Sequence, residues 1–237
     1  MVTCWVRIGC PSLLVRSQST IRESPLKKKR VLIVFYSFSR QTKLMLNKFI
    51  EGLECEGVEV TVQKLNPVSP YEFPFRSYCG ILKATVETFF RKRFEIEPIE
   101  DKCYADWDRV ILAGPTWSFH PSGPILEFLK RFGHDVCSGQ DVIPFISCRA
   151  YWRLNNRELG RRLKKLDARV ADPIVFTHLI SEPWRTIGLI MQLRGKMVRK
   201  ENSWFRKRYP GYGHNKEQGH IALDEGRQLA RMLMRIP

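Results

Sequence analysis

The residues Val31-Leu32-Ile33-Val34-Phe35-Tyr36 form an apolar run with no polar face. Such a strand has to be covered on both sides, as a central strand is in a parallel sheet layered by helices. The rest of the chain supplies covering helices and further strands in alternation. After a polar loop, Leu46, Phe49, Ile50 and Leu53 recur at helical spacing and predict a helix over 42–56, ended by Gly57. Residues 58–63 alternate Val58, Val60 and Val62 as a second strand. A proline-rich link (Pro67, Pro70, Pro74) leads to a helical stretch near 78–93, and 109–113 is a third strand. Ser122-Gly123-Pro124 supplies the cap and first-turn residues of another helix, with Ile125, Phe128, Leu129 and Phe132 as its buried stripe and Gly133 at its end. Strand four is predicted over 142–148, a helix over 156–166, strand five over 169–176, and a last helix over 217–235 that buries Leu229, Met232, Leu233 and Ile236.

Five strands alternating with five helices predict an α/β fold: a doubly wound, five-stranded parallel sheet with right-handed crossovers and helices on both faces. The domain plan is an arm over 1–29, a core over 30–176, an insertion over 177–216 and a final core helix over 217–237. A chain of 237 residues buries enough surface to dispense with metals or disulfides. Its seven cysteines are odd in number and never spaced C-x-x-C, which fits reduced thiols and no zinc site. No apolar run approaches the ~18 residues of a spanning helix.

The net charge of +16 is uneven. Residues 1–30 hold seven Lys/Arg against Glu23, and 184–208 hold eight against Glu201, so most of the excess lies outside the predicted sheet. The first 22 residues contain no acid, a composition shared by transit peptides, frayed arms and misplaced start sites. In the insertion, Trp184, Ile187, Ile190, Met191 and Leu193 make an apolar side ahead of the basic run and Trp204-Phe205. That pattern suits a lid, a peripheral membrane contact through 184–208, or a helix packed on the domain or on a second copy in a homo-oligomer. The turn Tyr209-Pro210-Gly211-Tyr212-Gly213-His214 either closes over a site or connects to the last helix.

In an open doubly wound sheet, ligands bind beyond the carboxyl ends of the strands. Three loops leave those ends. The first, Ser37-Phe38-Ser39-Arg40-Gln41-Thr42, sets hydroxyls before a helix amino terminus, where backbone N–H groups and the helix dipole hold phosphate; a plain capping loop has the same composition. Neither G-x-x-x-x-G-K-[ST] nor a post-strand G-x-G-x-x-G is present. The second, Gly114-Pro115-Thr116-Trp117-Ser118-Phe119-His120-Pro121, places Trp117 to stack on a flat heteroaromatic ring or to cover the domain's own edge. The third, Arg149-Ala150-Tyr151-Trp152-Arg153, brings Tyr151 or Trp152 to the same edge, beside Cys148.

These loops resemble those of the flavodoxin family. Ser37, Ser39 and Thr42 match its phosphate-loop pattern [ST]-x-[ST]-x-x-[ST], and Gly114-Pro115-Thr116-Trp117 resembles its first ring-contacting loop. The resemblance spans about 30–176 plus the last helix. It implies FMN as cofactor, the phosphate on Ser37, Phe38, Ser39, Arg40, Gln41 and Thr42, and the ring between Pro115, Thr116, Trp117 and Ser118 on one side and Cys148, Tyr151 and Trp152 on the other. A looser likeness, through the Tyr-Gly-His segment, is to flavodoxin-like proteins of dialkylresorcinol biosynthesis. Arg40 stands where flavodoxins commonly have Gly, and the basic charge departs from the acidic electron carriers.

The resulting expectation is an FMN-dependent oxidoreductase. It would be a reductase or dehydrogenase acting on a quinone-like or other apolar cyclic substrate, or an electron-transfer protein, with an electron donor such as NAD(P)H. If the chemistry uses a side-chain proton donor, His120 and Tyr151 are the candidates by position, with a structural histidine as the other reading of His120. The alternatives are a cofactor-free flavodoxin-like interaction protein, or a nucleic-acid binder using the basic residues among Trp204, Phe205, Tyr209 and Tyr212. No nucleic-acid module surrounds those residues. The expected location is cytoplasmic or peripheral to a membrane, with organelle targeting by 1–22 left open.

Overall fold

A computed structural model describes residues 28–196 and 213–235. The arm up to residue 27, the positions Trp204, Phe205, Tyr209 and Tyr212, and Ile236 lie outside the described residues. The chain runs β1 (Arg30–Phe35), α1 (Gln41–Cys55), β2 (Glu59–Lys64), α2 (Tyr78–Phe89), a 3₁₀ turn (Asp101–Tyr104), β3 (Arg109–Trp117), β4 (His120–Pro121), α3 (Gly123–Arg131), α4 (Gly133–Cys137), β5 (Asp141–Cys148), α5 (Trp152–Lys164), β6 (Arg169–Val170), β7 (Ile174–Thr177), α6 (Trp184–Leu193) and α7 (Lys216–Arg235).

The sheet order is β2-β1-β3-β5-β6, with β7 also parallel to β5 and the short β4 antiparallel to β3. Counted by parallel positions this is 2-1-3-4-5, the flavodoxin-like order. It differs from the expected five strands in two places. The single strand expected over 169–176 is split. Arg169 lies opposite Asp141, but Ile174 lies opposite Phe145, so one extra residue is accommodated between β6 and β7. Pro173 falls in that break, where it has no N–H to give to a ladder. The other addition, β4, is a hairpin folded back on the end of β3. The helix expected over 122–133 is likewise two, because Phe132 leaves helical geometry (φ −122°) and Gly133 begins a new turn.

The strand pleat sorts β1 as its composition requires. Leu32, Val34 and Tyr36 face one core with Ile125, Phe128 and Leu159 of α3 and α5, while Val31, Ile33 and Phe35 face the other with Phe49, Leu53 and Leu229 of α1 and α7. On α7 the buried stripe is Ala222, Gly226, Leu229, Ala230 and Leu233; Met232, expected inside, is half exposed. Small residues line that stripe because α1 and α7 touch backbone to backbone. A Cβ on Gly52 would lie 2.1 Å from the Leu223 carbonyl oxygen, and one on Gly226 would lie 2.1 Å from that of Phe49. This contact anchors α1, whose amino terminus carries the first ligand loop.

Candidate functional site

The carboxyl ends of β1, β3, β5 and β7 lie on one edge of the sheet, and the loops leaving them wall a cavity of about 320 Å³. That volume falls at the lower end of the ~300–1,000 Å³ typical of small-molecule sites. The 37–42 loop contributes Phe38, Ser39, Gln41 and Thr42. Thr42 is almost fully buried. Ser37 stays behind the cavity lining and accepts the Lys43 N–H on Oγ at 3.3 Å, so it caps the turn. Arg40 is also outside the lining. It occupies the N-cap of α1 in the left-handed region (φ 65°) and its side chain caps nothing, which leaves the first turn of α1 without a cap bond from its own N-cap residue.

The β3–β4 hairpin brings Pro115, Thr116, Trp117, Ser118 and Phe119 to the cavity. Its two central residues, Ser118 (φ 42°) and Phe119 (φ 75°), both adopt positive φ, as a tight two-residue hairpin requires. A hydrogen bond between the Ser118 and Thr88 hydroxyls (2.7 Å) and the approach of Ser118 Oγ to the Thr85 carbonyl (3.2 Å) fasten the hairpin to α2. Trp117 is held by the aromatic rings of Tyr36, Phe38, Tyr71 and Phe94 at 5.5–5.9 Å, three of them edge-on. It thus covers the domain's hydrophobic edge and lines the cavity together.

From the end of β5 come Ser147 and Cys148, and from the loop after it Arg149, Ala150 and Tyr151. Burial pushes the Cys148 thiol up to about 11, with Thr116 as a hydrogen-bond partner, so it is a neutral thiol at neutral pH. Tyr151 holds the N-cap of α5 at φ 60° and packs edge-on against Phe119 at 4.8 Å. Trp152 is turned away from the cavity: it is the first residue of α5, so its ring packs on the core beneath with the Arg153 guanidinium 5.4 Å above it. Among the described residues, four of the six non-glycine residues with positive φ (Arg40, Ser118, Phe119, Tyr151) belong to these loops. Such backbone costs of order 1–3 kcal/mol each and concentrates at ligand sites.

His120, expected at this edge, is also placed elsewhere. Its Nδ1 lies 2.7 Å from Glu158 Oε2 of α5, and Glu158 further accepts from Arg91 (3.2 Å) and Arg162 (2.7 Å). Burial would raise the Glu158 carboxyl, but hydrogen bonds from Arg162, Arg91 and His120 outweigh it and hold the carboxyl below its ordinary range. Glu158 therefore clamps β4 and the end of α2 to α5. Substituting Glu158→Gln should cost about 2 kcal/mol of stability at pH 7, measured by urea denaturation, because it leaves three cationic or donor groups around a neutral amide.

Further residues complete the wall, among them Leu193 and His214 from the insertion and the turn singled out in the sequence. α2 contributes Ile81, Ala84, Thr85 and Thr88; α6 contributes Leu189, Gln192 and Leu193; His178 follows β7 and His214 precedes α7. His214 is fixed at both ring nitrogens. Gln218 donates through Nε2 to the Thr177 carbonyl at 2.8 Å, so its Oε1 faces His214 Nδ1 at 3.0 Å and that nitrogen carries the proton. Nε2 is left to accept the Ser147 hydroxyl at 2.8 Å. The His214 backbone N–H also donates to Gln41 Oε1 at 2.9 Å, tying this segment to the first loop. Gly213 (φ 116°) permits that approach, since a Cβ there would lie 2.3 Å from Gln41 Oε1. Burial lowers both histidines, His178 from 6.5 to about 4 with His214, Arg185 and Arg149 adding to the effect. Both rings are neutral at pH 7.

The lining has the donors and surfaces that a phosphorylated flavin needs. Ser39, Thr42 and the first turn of α1 form a hydroxyl and N–H cradle. Aromatic side chains wall the adjoining space. Gln192 Oε1 is buried with no hydrogen-bond partner among the described residues, an acceptor for a ligand hydroxyl or ring N–H.

No sequence family matches this chain, and no curated protein matches it. Among solved structures it is similar to a flavoprotein from Lactobacillus acidophilus NCFM in complex with FMN (TM-score 0.50, 17% identity, 62% of this chain and 93% of that one). It is also similar to a protein from Bacteroides eggerthii described as a flavoprotein (TM-score 0.51, 16% identity, 70% and 98%). At these identities the likeness is one of fold, and it agrees with the sheet order.

Proposed function

We propose that this flavodoxin-like chain is an FMN-dependent oxidoreductase whose substrate is an apolar ring compound such as a quinone. One observation carries the reading: the hydroxyl-bearing turn at the start of α1 and the aromatic β3–β4 hairpin line the same cavity, at the carboxyl ends of neighbouring strands. The Lactobacillus acidophilus relative, which binds FMN, supports the choice of cofactor. Ser39, Gln41 and Thr42 would hold the phosphate, and Thr116, Trp117 and Tyr151 would flank the ring. Bound flavin supplies hydride or single-electron chemistry, so the protein has only to bind, orient and shield.

The chain's own groups fit that division of labour. Trp117, braced by four aromatic neighbours, forms a rigid apolar wall. Arg149 places a guanidinium in the lining and is partnered by Glu182 at 3.7 Å. Tyr151 is the expected proton donor that lines the cavity. The Ser147 hydroxyl, hydrogen-bonded to His214 Nε2, holds a second proton at the wall, with Gln218 fixing the imidazole orientation.

Titration of FMN into the flavin-free protein, followed by flavin fluorescence, tests the reading. Thr42→Ala and Trp117→Ala should each weaken binding by about tenfold, or ~1.4 kcal/mol, with the fold retained by circular dichroism. FMN affinity unchanged in both variants, or absent from the wild type, would overturn it.

A further inference from the structure

Helix α2 is apolar around most of its circumference, and only one side of it is used by the fold. Ile81, Ala84, Thr85 and Thr88 line the cavity. On the adjoining side, Leu82 is 65% exposed, Phe89 50% and Phe90 75%, with Tyr78 and Val86 beside them at helical spacing. Large apolar side chains gathered on one face mark an interaction surface.

The charges around this face say what it meets. Arg76, Lys83, Arg91, Lys92 and Arg93 flank it, and all five are exposed. Glu72 pairs with Arg76 at 3.0 Å and Glu87 with Lys92 at 2.9 Å, while Arg91 and Arg93 reach Glu158 at 3.2 Å and Glu127 at 3.7 Å, and Lys83 has no ion pair among the described residues. Arg194 of the segment after α6 adds a guanidinium 4.8 Å over the Tyr78 ring. Apolar and aromatic side chains rimmed by exposed cations, whose acidic partners Glu127 and Glu158 are largely buried, match an anionic lipid surface, where the rings sit among headgroups and each nearby Lys or Arg adds up to ~1 kcal/mol. A two-fold self-pairing would instead set these cations against their own copies. The chain would rest on such a surface, since no described helix is long and apolar enough to cross a membrane.

We propose that α2 is a docking face for an anionic lipid bilayer, with Leu82, Phe89 and Phe90 as its apolar anchors. The inference rests on the outer side of α2 and does not depend on what the cavity holds.

The test is co-sedimentation of the full chain with phosphatidylcholine vesicles, with and without about 30% phosphatidylserine. The wild type should pellet with the anionic vesicles and remain in solution with the neutral ones. The variant Leu82→Ser/Phe89→Ser/Phe90→Ser should lower the partition coefficient at least ~10-fold while unfolding with the wild-type transition. If that variant does not unfold cooperatively, Arg76→Glu/Lys83→Glu carries the test with every apolar anchor in place, and it too should lose binding. Undiminished pelleting of a folded variant would overturn the proposal by assigning membrane binding to other basic segments. A wild-type dimer in sedimentation velocity that the triple serine variant converts to monomer would overturn it in favour of a second copy.

Discussion

Replacing Gly226 by valine should lower the stability of the protein by about 4 kcal/mol or more, the largest effect expected of any single substitution here. The added Cβ would lie 2.1 Å from the Phe49 carbonyl oxygen and 3.1 Å from the Leu53 nitrogen. These are backbone atoms, which cannot rotate aside, so α1 and α7 would have to part and break the packing of Phe49, Leu53, Leu229 and Leu233. Even Gly226→Ala should destabilise, by roughly 2 kcal/mol, although alanine is the better helix former by up to ~1 kcal/mol. Gly160 in α5 supplies the control. A Cβ there would meet nothing within 4 Å, so Gly160→Ala should stabilise by about 0.5–1 kcal/mol. Urea denaturation of the three variants decides between backbone crowding and propensity. Because α1 begins at the first ligand loop, Gly226→Ala should also weaken FMN binding, whereas Gly160→Ala should not.

The second large effect is one of pH. His178 has a folded value near 4, against 6.5 when unperturbed, through burial first and then the charges of His214, Arg185 and Arg149. Above pH 6.5 the ring is neutral in both states and costs nothing. Between about 6.5 and 4 the unfolded chain takes up a proton that the folded chain refuses, so stability falls as pH falls, and below about 4 the loss levels off. Complete titration removes about 3 kcal/mol, and His214, lowered by burial in the same direction, adds to it. Denaturant midpoints at pH 7.5 and 4.5 measure the loss. His178→Asn should show a smaller difference between the two, which separates the histidine from every other titrating group. An equal difference in both proteins would remove His178 from the account.

The architecture was readable because strand and helix obey different periods. The apolar run at 31–36 could only be a doubly covered strand, and the stripe Leu46, Phe49, Leu53 could only be one face of a helix. What escaped was decided by tertiary contact. The β4 hairpin has no glycine or asparagine at its turn, only Ser118 and Phe119, so its usual signal was absent. Pro173 inside the predicted fifth strand did mark the break between β6 and β7.

The site was legible in its loops and illegible in its depth. Ser39, Thr42, Trp117 and Tyr151 lie next to strand ends, where sequence order predicts a ligand edge. His120 and Trp152 lie there too, yet Glu158 captures the first and the start of α5 turns the second inward. The turn ending at His214 stood out in the sequence, but Ser147 and His214 are 67 residues apart and no local pattern announces that they meet. For α2, apolar residues on nearly every side left no stripe to show which side faced the cavity.

That helix leaves a mechanical consequence. One wall, a single helix thick, separates the chamber from the exterior, and it is stitched to the hairpin by Ser118 and Thr88. Whatever presses on its outer surface also changes the room available inside. By thermodynamic reciprocity, a guest that prefers one setting of this partition must alter the grip of the exterior on it by the same factor.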